Sequence, residues 1–215
     1  MRKFGVLFLF ALFLGLGCVT SASADTVKLI KVGDQFAPGE FAGPYQAQLN
    51  GDPITMVCVS FDRHVQVGQT WEVSVNEITL SGVANALYGG TADALFKYQQ
   101  AAFLTDQLVL NPNENGAIQT AIWKVFNAAT PDFGNAAAWL ALAQNQDFSS
   151  YDLSKFRILT PTDRSAGGPQ ENLTTVPEPT TMLLLGTGLA GIAAKVRRRR
   201  RSGLDAGATE TEASS

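Results

Sequence analysis

Residues 116–127 read GAIQTAIWKVFN. Wound at about 100° per residue, Thr120, Lys124 and Asn127 gather into one narrow polar stripe. Ile118, Ala121, Ile122, Val125 and Phe126 fill the opposite side, and Trp123 extends it. This pattern predicts an amphipathic helix packed on an apolar surface. Gln119 breaks the pattern, because it falls between Phe126 and Trp123, inside the apolar arc. A buried carboxamide without partners costs on the order of 1–3 kcal/mol. Gln119 is therefore expected to be either hydrogen-bonded in the core or used covalently.

The surface that this helix needs is supplied by the segment before it. Residues 26–80 are short and alternating, punctuated by Gly, Pro and Asn, with strands predicted over residues 26–31, 54–61 and 70–80. The last shows the clearest period of two, with Trp71, Val73 and Val75 alternating with Glu72, Ser74 and Asn76. After Gly89-Gly90 the character turns helical, over residues 91–108, 116–127 and 135–145. Breaks containing Pro112 and Pro131 separate these runs. A further strand over residues 155–160 returns to the sheet, and residues 161–175, rich in Thr, Gly, Ser, Pro and Asn, have linker composition. The expected fold class is α+β: an N-terminal antiparallel β-sheet or barrel-like half, a helical half of about three helices packed on it, and a short C-terminal transmembrane helix. The body spans residues 25–160, long enough to bury one proper core.

The two ends carry a different kind of information. Met1, Arg2 and Lys3 precede an apolar run over residues 4–19 and the small residues Ala22-Ser23-Ala24. A charged start, a short apolar core and an A-x-A site predict a signal peptide over residues 1–24, cleaved before Asp25. An uncleaved anchor is the alternative. Lipid attachment at Cys18 is disfavoured, because the preceding Gly15-Leu16-Gly17 lacks leucine three residues before the cysteine. Between residues 25 and 176 there are eight Lys/Arg against fifteen Asp/Glu. Such an acidic body lacks the clustered cations that neutralise phosphates, so no nucleic acid is expected as a partner.

At the other end, Val176-Pro177-Glu178-Pro179 is followed by an uncharged stretch over residues 180–194, then Lys195, Val196 and Arg197, Arg198, Arg199, Arg200 and Arg201. Fifteen residues of helix span roughly 22 Å, short of the ~30 Å hydrocarbon core, and the arginines hold that end on the cytoplasmic side. Residues 176–201 resemble the PEP-CTERM sorting signal in the triplet Pro177, Glu178 and Pro179, the short apolar helix with Gly186, Gly188 and Gly191, and the basic end. The resemblance implies anchoring in the inner membrane through the C-terminal helix. An exosortase-type processing enzyme would then remove the part after the motif and release the protein to the cell envelope or extracellular matrix. An ordinary tail anchor is the alternative. Residues 202–215 are read as a disordered polar tail.

Once the leader is removed, Cys58 is the one cysteine of the mature chain. An odd cysteine in an oxidising compartment is a liability unless it is buried, paired with another chain or chemically occupied. Cys58, in Val57-Cys58-Val59, and Gln119, in Gln119-Thr120-Ala121-Ile122-Trp123, resemble the paired motifs of the thioester domains of bacterial surface adhesins. The resemblance implies that the cysteine sulfur attacks the glutamine side-chain carbonyl and ammonia leaves. The resulting internal thioester couples once to an unknown surface or matrix nucleophile, such as a lysine amine. Ala121, Ile122, Trp123 and Phe126 are the residues expected to keep water from that bond.

The alternative is a non-covalent matrix or structural protein with an inert buried Cys58 and a hydrogen-bonded Gln119. A carbohydrate-active enzyme with two converging carboxylates is a weaker third. His64, six residues from Cys58, cannot be placed relative to the sulfur from alternation alone. One histidine and one mature cysteine cannot make the usual zinc sites, and no G-x-S-x-G or phosphate-loop pattern occurs. No metal, cofactor or turnover chemistry is expected.

Overall fold

Asn50 and Gly51 both adopt positive φ, 54° and 94°. Paired left-handed residues make the hairpin turn whose twist suits two antiparallel strands. They join β2 (Tyr45–Leu49) to β3 (Asp52–Cys58), which pair antiparallel with Leu49 opposite Asp52. The computed structural model describes residues 24–176. Within them, β1 (Asp25–Lys31), β4 (Thr70–Asn76), β5 (Phe156–Pro161) and β6 (Asn172–Thr175) complete a closed six-stranded antiparallel barrel in the order β1-β2-β3-β6-β5-β4. The helices are α1 (Leu80–Ala84), α2 (Ala94–Leu110), α3 (Asn115–Phe126) and α4 (Ala136–Gln144), with a 3-10 turn at Pro112–Glu114.

Alternation along the strands divides the apolar residues between two cores. Inside the barrel, Val27, Leu29, Tyr45, Ala47, Met56, Cys58, Trp71, Val73 and Leu159 cluster, and Trp123 of α3 joins them. Outside it, Val57, Val59, Phe156, Ile158 and Leu173 pack against Tyr98 and Leu104 of α2 and Ile118 and Ile122 of α3. Each fully buried aliphatic side chain here contributes about 1.5–3 kcal/mol. Thr120, expected on the polar stripe of α3, is instead fully buried, its hydroxyl satisfied by Gly116 O at 2.8 Å. Lys124, its side chain largely buried, pairs with Asp132 at 2.8 Å.

The α+β class and the sheet-then-helix order are present, with several corrections in detail. β2 was not foreseen. The strand expected over 54–61 runs Asp52–Cys58. The strand expected over 70–80 stops at Asn76, because Thr79 accepts from Gly82 N at 3.1 Å and starts α1. The largest correction concerns residues 161–175, which are not a linker. Asn172, Leu173 and Thr174 are buried in β6, between β3 and β5. Polar composition misleads here, since a strand paired on both sides takes its hydrogen bonds from its neighbours. Among the described residues no helix is long and apolar enough to cross a membrane. The signal peptide, the C-terminal apolar helix and the polar tail lie outside the described residues.

Leu173 of β6, the strand that closes the barrel, is fully buried in the helix-side core. Leu173→Ala is expected to lower stability by about 2–5 kcal/mol, read as a shift of the urea midpoint at unchanged slope.

Candidate functional site

Gln119 and Trp123 stand four residues apart on α3 and therefore share one face. Both face Cys58 at the end of β3. Gln119 is fully buried. Its Nε2 donates to the backbone O of Cys58 at 2.7 Å, and its Oε1 accepts from Gly43 N at 2.9 Å. The carboxamide is thus held at both ends between the β3 terminus and the loop before β2. Gly43 lacks a side chain for a visible reason: a Cβ there would sit 2.9 Å from Gln119 Oε1.

The Cys58 sulfur points into the barrel interior, because its neighbours Val57 and Val59 take the helix-facing side. Its thiol is within donating distance of Ser60 O (3.2 Å) and Gln170 Oε1 (3.0 Å). Burial pushes the thiol up to about 12, and the charges of Glu40 and Asp62 push in the same direction. The Trp123 indole N–H faces the sulfur closely enough to oppose this rise slightly, yet it makes no hydrogen bond of its own. Phe61 packs on Trp123 with ring centroids 5.3 Å apart. Cys58 is therefore a protonated thiol in a buried pocket.

Of the residues expected to shield the site, Trp123 lies in the barrel cluster with Cys58. Ala121 and Ile122 belong to the helix-side core, and Phe126 stacks on Tyr88 and Tyr98. His64 lies at the surface, with Nδ1 3.6 Å from Glu40 Oε2. Among the described residues no group of three or more His, Cys, Asp or Glu is placed to hold a metal. The sorting residues Pro177, Glu178 and Pro179 and the arginines at 197–201 lie outside the described residues.

Gln170 and Glu171 carry no signal in the sequence, because both sit in a stretch of linker composition. Gln170 reaches the Cys58 sulfur from one side. Glu171 is fully buried and accepts from the Tyr98 hydroxyl, from Leu87 N at 2.7 Å and from Thr160 Oγ1 at 2.7 Å. Its own N–H donates to Ser60 Oγ at 3.1 Å. The carboxylate thus ties the β6 approach to α2, to the loop after α1 and to β5.

Two outcomes follow. Gly43→Ala is expected to displace the Gln119 carboxamide and destabilise the fold by about 1–3 kcal/mol, the cost of a buried group left unpaired, measured by denaturant unfolding. For Glu171, burial raises the carboxyl above its ordinary 4.5, outweighing the donors and Arg164 that lower it. The folded state then holds the proton more tightly than the unfolded one. The stabilisation is complete below the unfolded value and is lost as pH rises through the folded one. The urea midpoint should fall as pH rises above about 4.5, and Glu171→Gln should flatten that dependence.

Comparison with known proteins bears on one end of the chain. Residues 175–200 match the PEP-CTERM protein-sorting motif. No curated protein and no solved structure matches the chain. The matched motif marks an exported surface protein that an exosortase processes, anchored in the membrane first and cleaved afterwards.

Proposed function

We propose that this exosortase-sorted surface protein carries an internal thioester between Cys58 and Gln119 and uses it for one covalent attachment to a nucleophile on a target surface or matrix. The observation that carries this reading is the double fixing of the Gln119 carboxamide, on Gly43 N and on the backbone of Cys58. That arrangement holds the side-chain carbonyl beside the cysteine with a backbone N–H already on its oxygen, where charge develops when sulfur adds.

In the bond-forming step the Cys58 sulfur adds to the Gln119 side-chain carbon, and the C–N bond of the carboxamide breaks. The nitrogen leaves as ammonia, taking the thiol proton. The Cys58 side chain must first leave Ser60 O and Gln170 Oε1 and turn toward α3. The dry surroundings of Trp123 and Phe61 then favour the thioester over hydrolysis. Delivery through the inner membrane and removal of the C-terminal tail precede its use, so the stored electrophile meets its target outside the cell.

A non-covalent surface or matrix protein is the second reading. It is favoured by a specific observation: the Cys58 thiol is already engaged with Ser60 O and Gln170 Oε1, as an inert buried cysteine would be.

Intact mass spectrometry separates the two. The thioester reading expects the purified exported chain to be lighter by one ammonia, with no titratable thiol, and Cys58→Ala or Gln119→Ala to restore the unshifted mass. An unshifted native chain with one free thiol after unfolding would leave the non-covalent reading standing.

A further inference from the structure

Antiparallel pairing all the way round the barrel places the starts of β1, β3 and β5 and the ends of β2, β4 and β6 at one rim. The barrel chain therefore begins at Asp25 and leaves at Thr175 on the same side, while Gly43, Cys58 and Gln170 lie toward the other. Beyond β6 there is hardly any slack. Only Val176 separates Thr175 from Pro177, and its N–H donates to Lys155 O at 2.7 Å. However residues 177–179 run, covalent geometry keeps Pro179 within about 11 Å of Val176. Peeling β6 away to lengthen that tether would part its pairs with β3 and β5 and expose Leu173. An enzyme working at the triplet therefore meets the folded rim.

On one side of Thr175 that rim is closed, and on the other it is open. β6 stays with β5 to its last residue, Thr175 opposite Phe156, but pairs with β3 only at Met56, Val57 and Cys58. Thr174 reaches Thr55 O with its hydroxyl at 2.8 Å, and past that contact the two strands have parted. Residues 52–55 thus have β2 along one edge and, among the described residues, no strand along the other. A groove of about 510 Å³ runs from Thr175 across β3 and β2 to Ile30 of β1. Gln46, Gln48, Pro53 and Thr55 line it from the outward positions, since Tyr45, Ala47 and Met56 belong to the barrel interior. None of its lining side chains is ionisable, and Ile30 and Thr55 are exposed.

We propose that this groove docks the exosortase-type processing enzyme, which lays an uncharged extended segment along the open edge of β3 while it works on the adjacent sorting motif. The inference rests on the motif match at residues 175–200 and is independent of the thioester. An open strand edge accepts an extended peptide through its backbone groups. Pro53 offers no N–H, so the usable edge is short, which discourages pairing between copies of the chain. The glutamines and threonines supply neutral donors and acceptors for a polar segment, whereas an ionised one would lose water there without a counter-charge. A weak contact suffices, because groove and motif sit on one chain with a single residue between β6 and the triplet, so binding one presents the other at high effective concentration.

Pulse-chase immunoblotting of the full chain in cells that contain the processing enzyme tests this. Gln46→Arg and Thr55→Arg should each slow processing by about fivefold or more, and Leu142→Arg, exposed on α4, should leave it unchanged. Native rates in both groove variants, or equal slowing by Leu142→Arg, would overturn the docking surface. A second arm leaves the barrel untouched, so it does not depend on how the groove variants fold. Ten Gly and Ser residues inserted between Val176 and Pro177 should also slow processing, by separating groove from motif. An unchanged rate would show that the motif alone suffices, and a faster one that the rim obstructs the enzyme; either sinks the proposal. Benzoylphenylalanine at position 55 should photo-crosslink to an epitope-tagged processing enzyme, and at position 142 it should not. Deleting residues 177–179 checks the sorting reading separately. Processing that survives the deletion would remove that reading and the docking surface with it, whereas processing that needs the triplet and ignores the groove would remove the docking surface alone.

Discussion

The Gln119 carboxamide joins the two halves of this protein. One helix side chain bonds the end of β3 through Cys58 O and the loop before β2 through Gly43 N. The four-residue spacing on α3 then carries Trp123 into the interior of the barrel. Removing water from such a carboxamide is tolerable only because both of its ends find partners. The demand runs outward from there. Gly43 must lack a side chain, Val57 and Val59 must face α3, and the cysteine between them must therefore point inward. Structural or covalent, the pair depends on Gln119 being held between the end of β3 and the loop before β2.

A second tie closes the barrel and builds the other side of the same pocket. β6 fills the gap between β3 and β5, and the residues leading into it supply Gln170 to the cysteine sulfur and Glu171 to Tyr98, Leu87 and Thr160. Burying an acid there is costly, and three donors offset that cost. Barrel closure and pocket construction are thus one event, and a chain lacking residues 170–175 would lose both. Export adds a reason for such economy. The body makes no disulfide, so its cohesion rests on these buried polar ties and on the two apolar cores.

Some of this was legible from residues alone. Gln119 stood out because helix geometry is local, and twelve consecutive residues suffice to show which side chains share a face. The β2–β3 hairpin has a local signature too: Tyr45, Ala47 and Leu49 alternate with glutamines and run into Asn50-Gly51, a strong turn signal. β6 was not legible. Asn172-Leu173-Thr174-Thr175 has neither the length nor the apolar content of a strand, and it becomes one by pairing with partners far away in sequence.

By itself the sequence determined the address and the class. The Pro-Glu-Pro triplet, the apolar stretch and the arginines act as a linear signal read by a processing enzyme, so their order alone suffices. The α+β division followed from local periodicity. Tertiary structure alone decided the direction of the Cys58 sulfur, the arrival of Gln170 beside it, and the meeting of Glu40 and His64 at the surface. The physical reason is that these groups come from loops and a late strand. Their side chains converge only once the barrel closes, and no spacing along the chain records that closure.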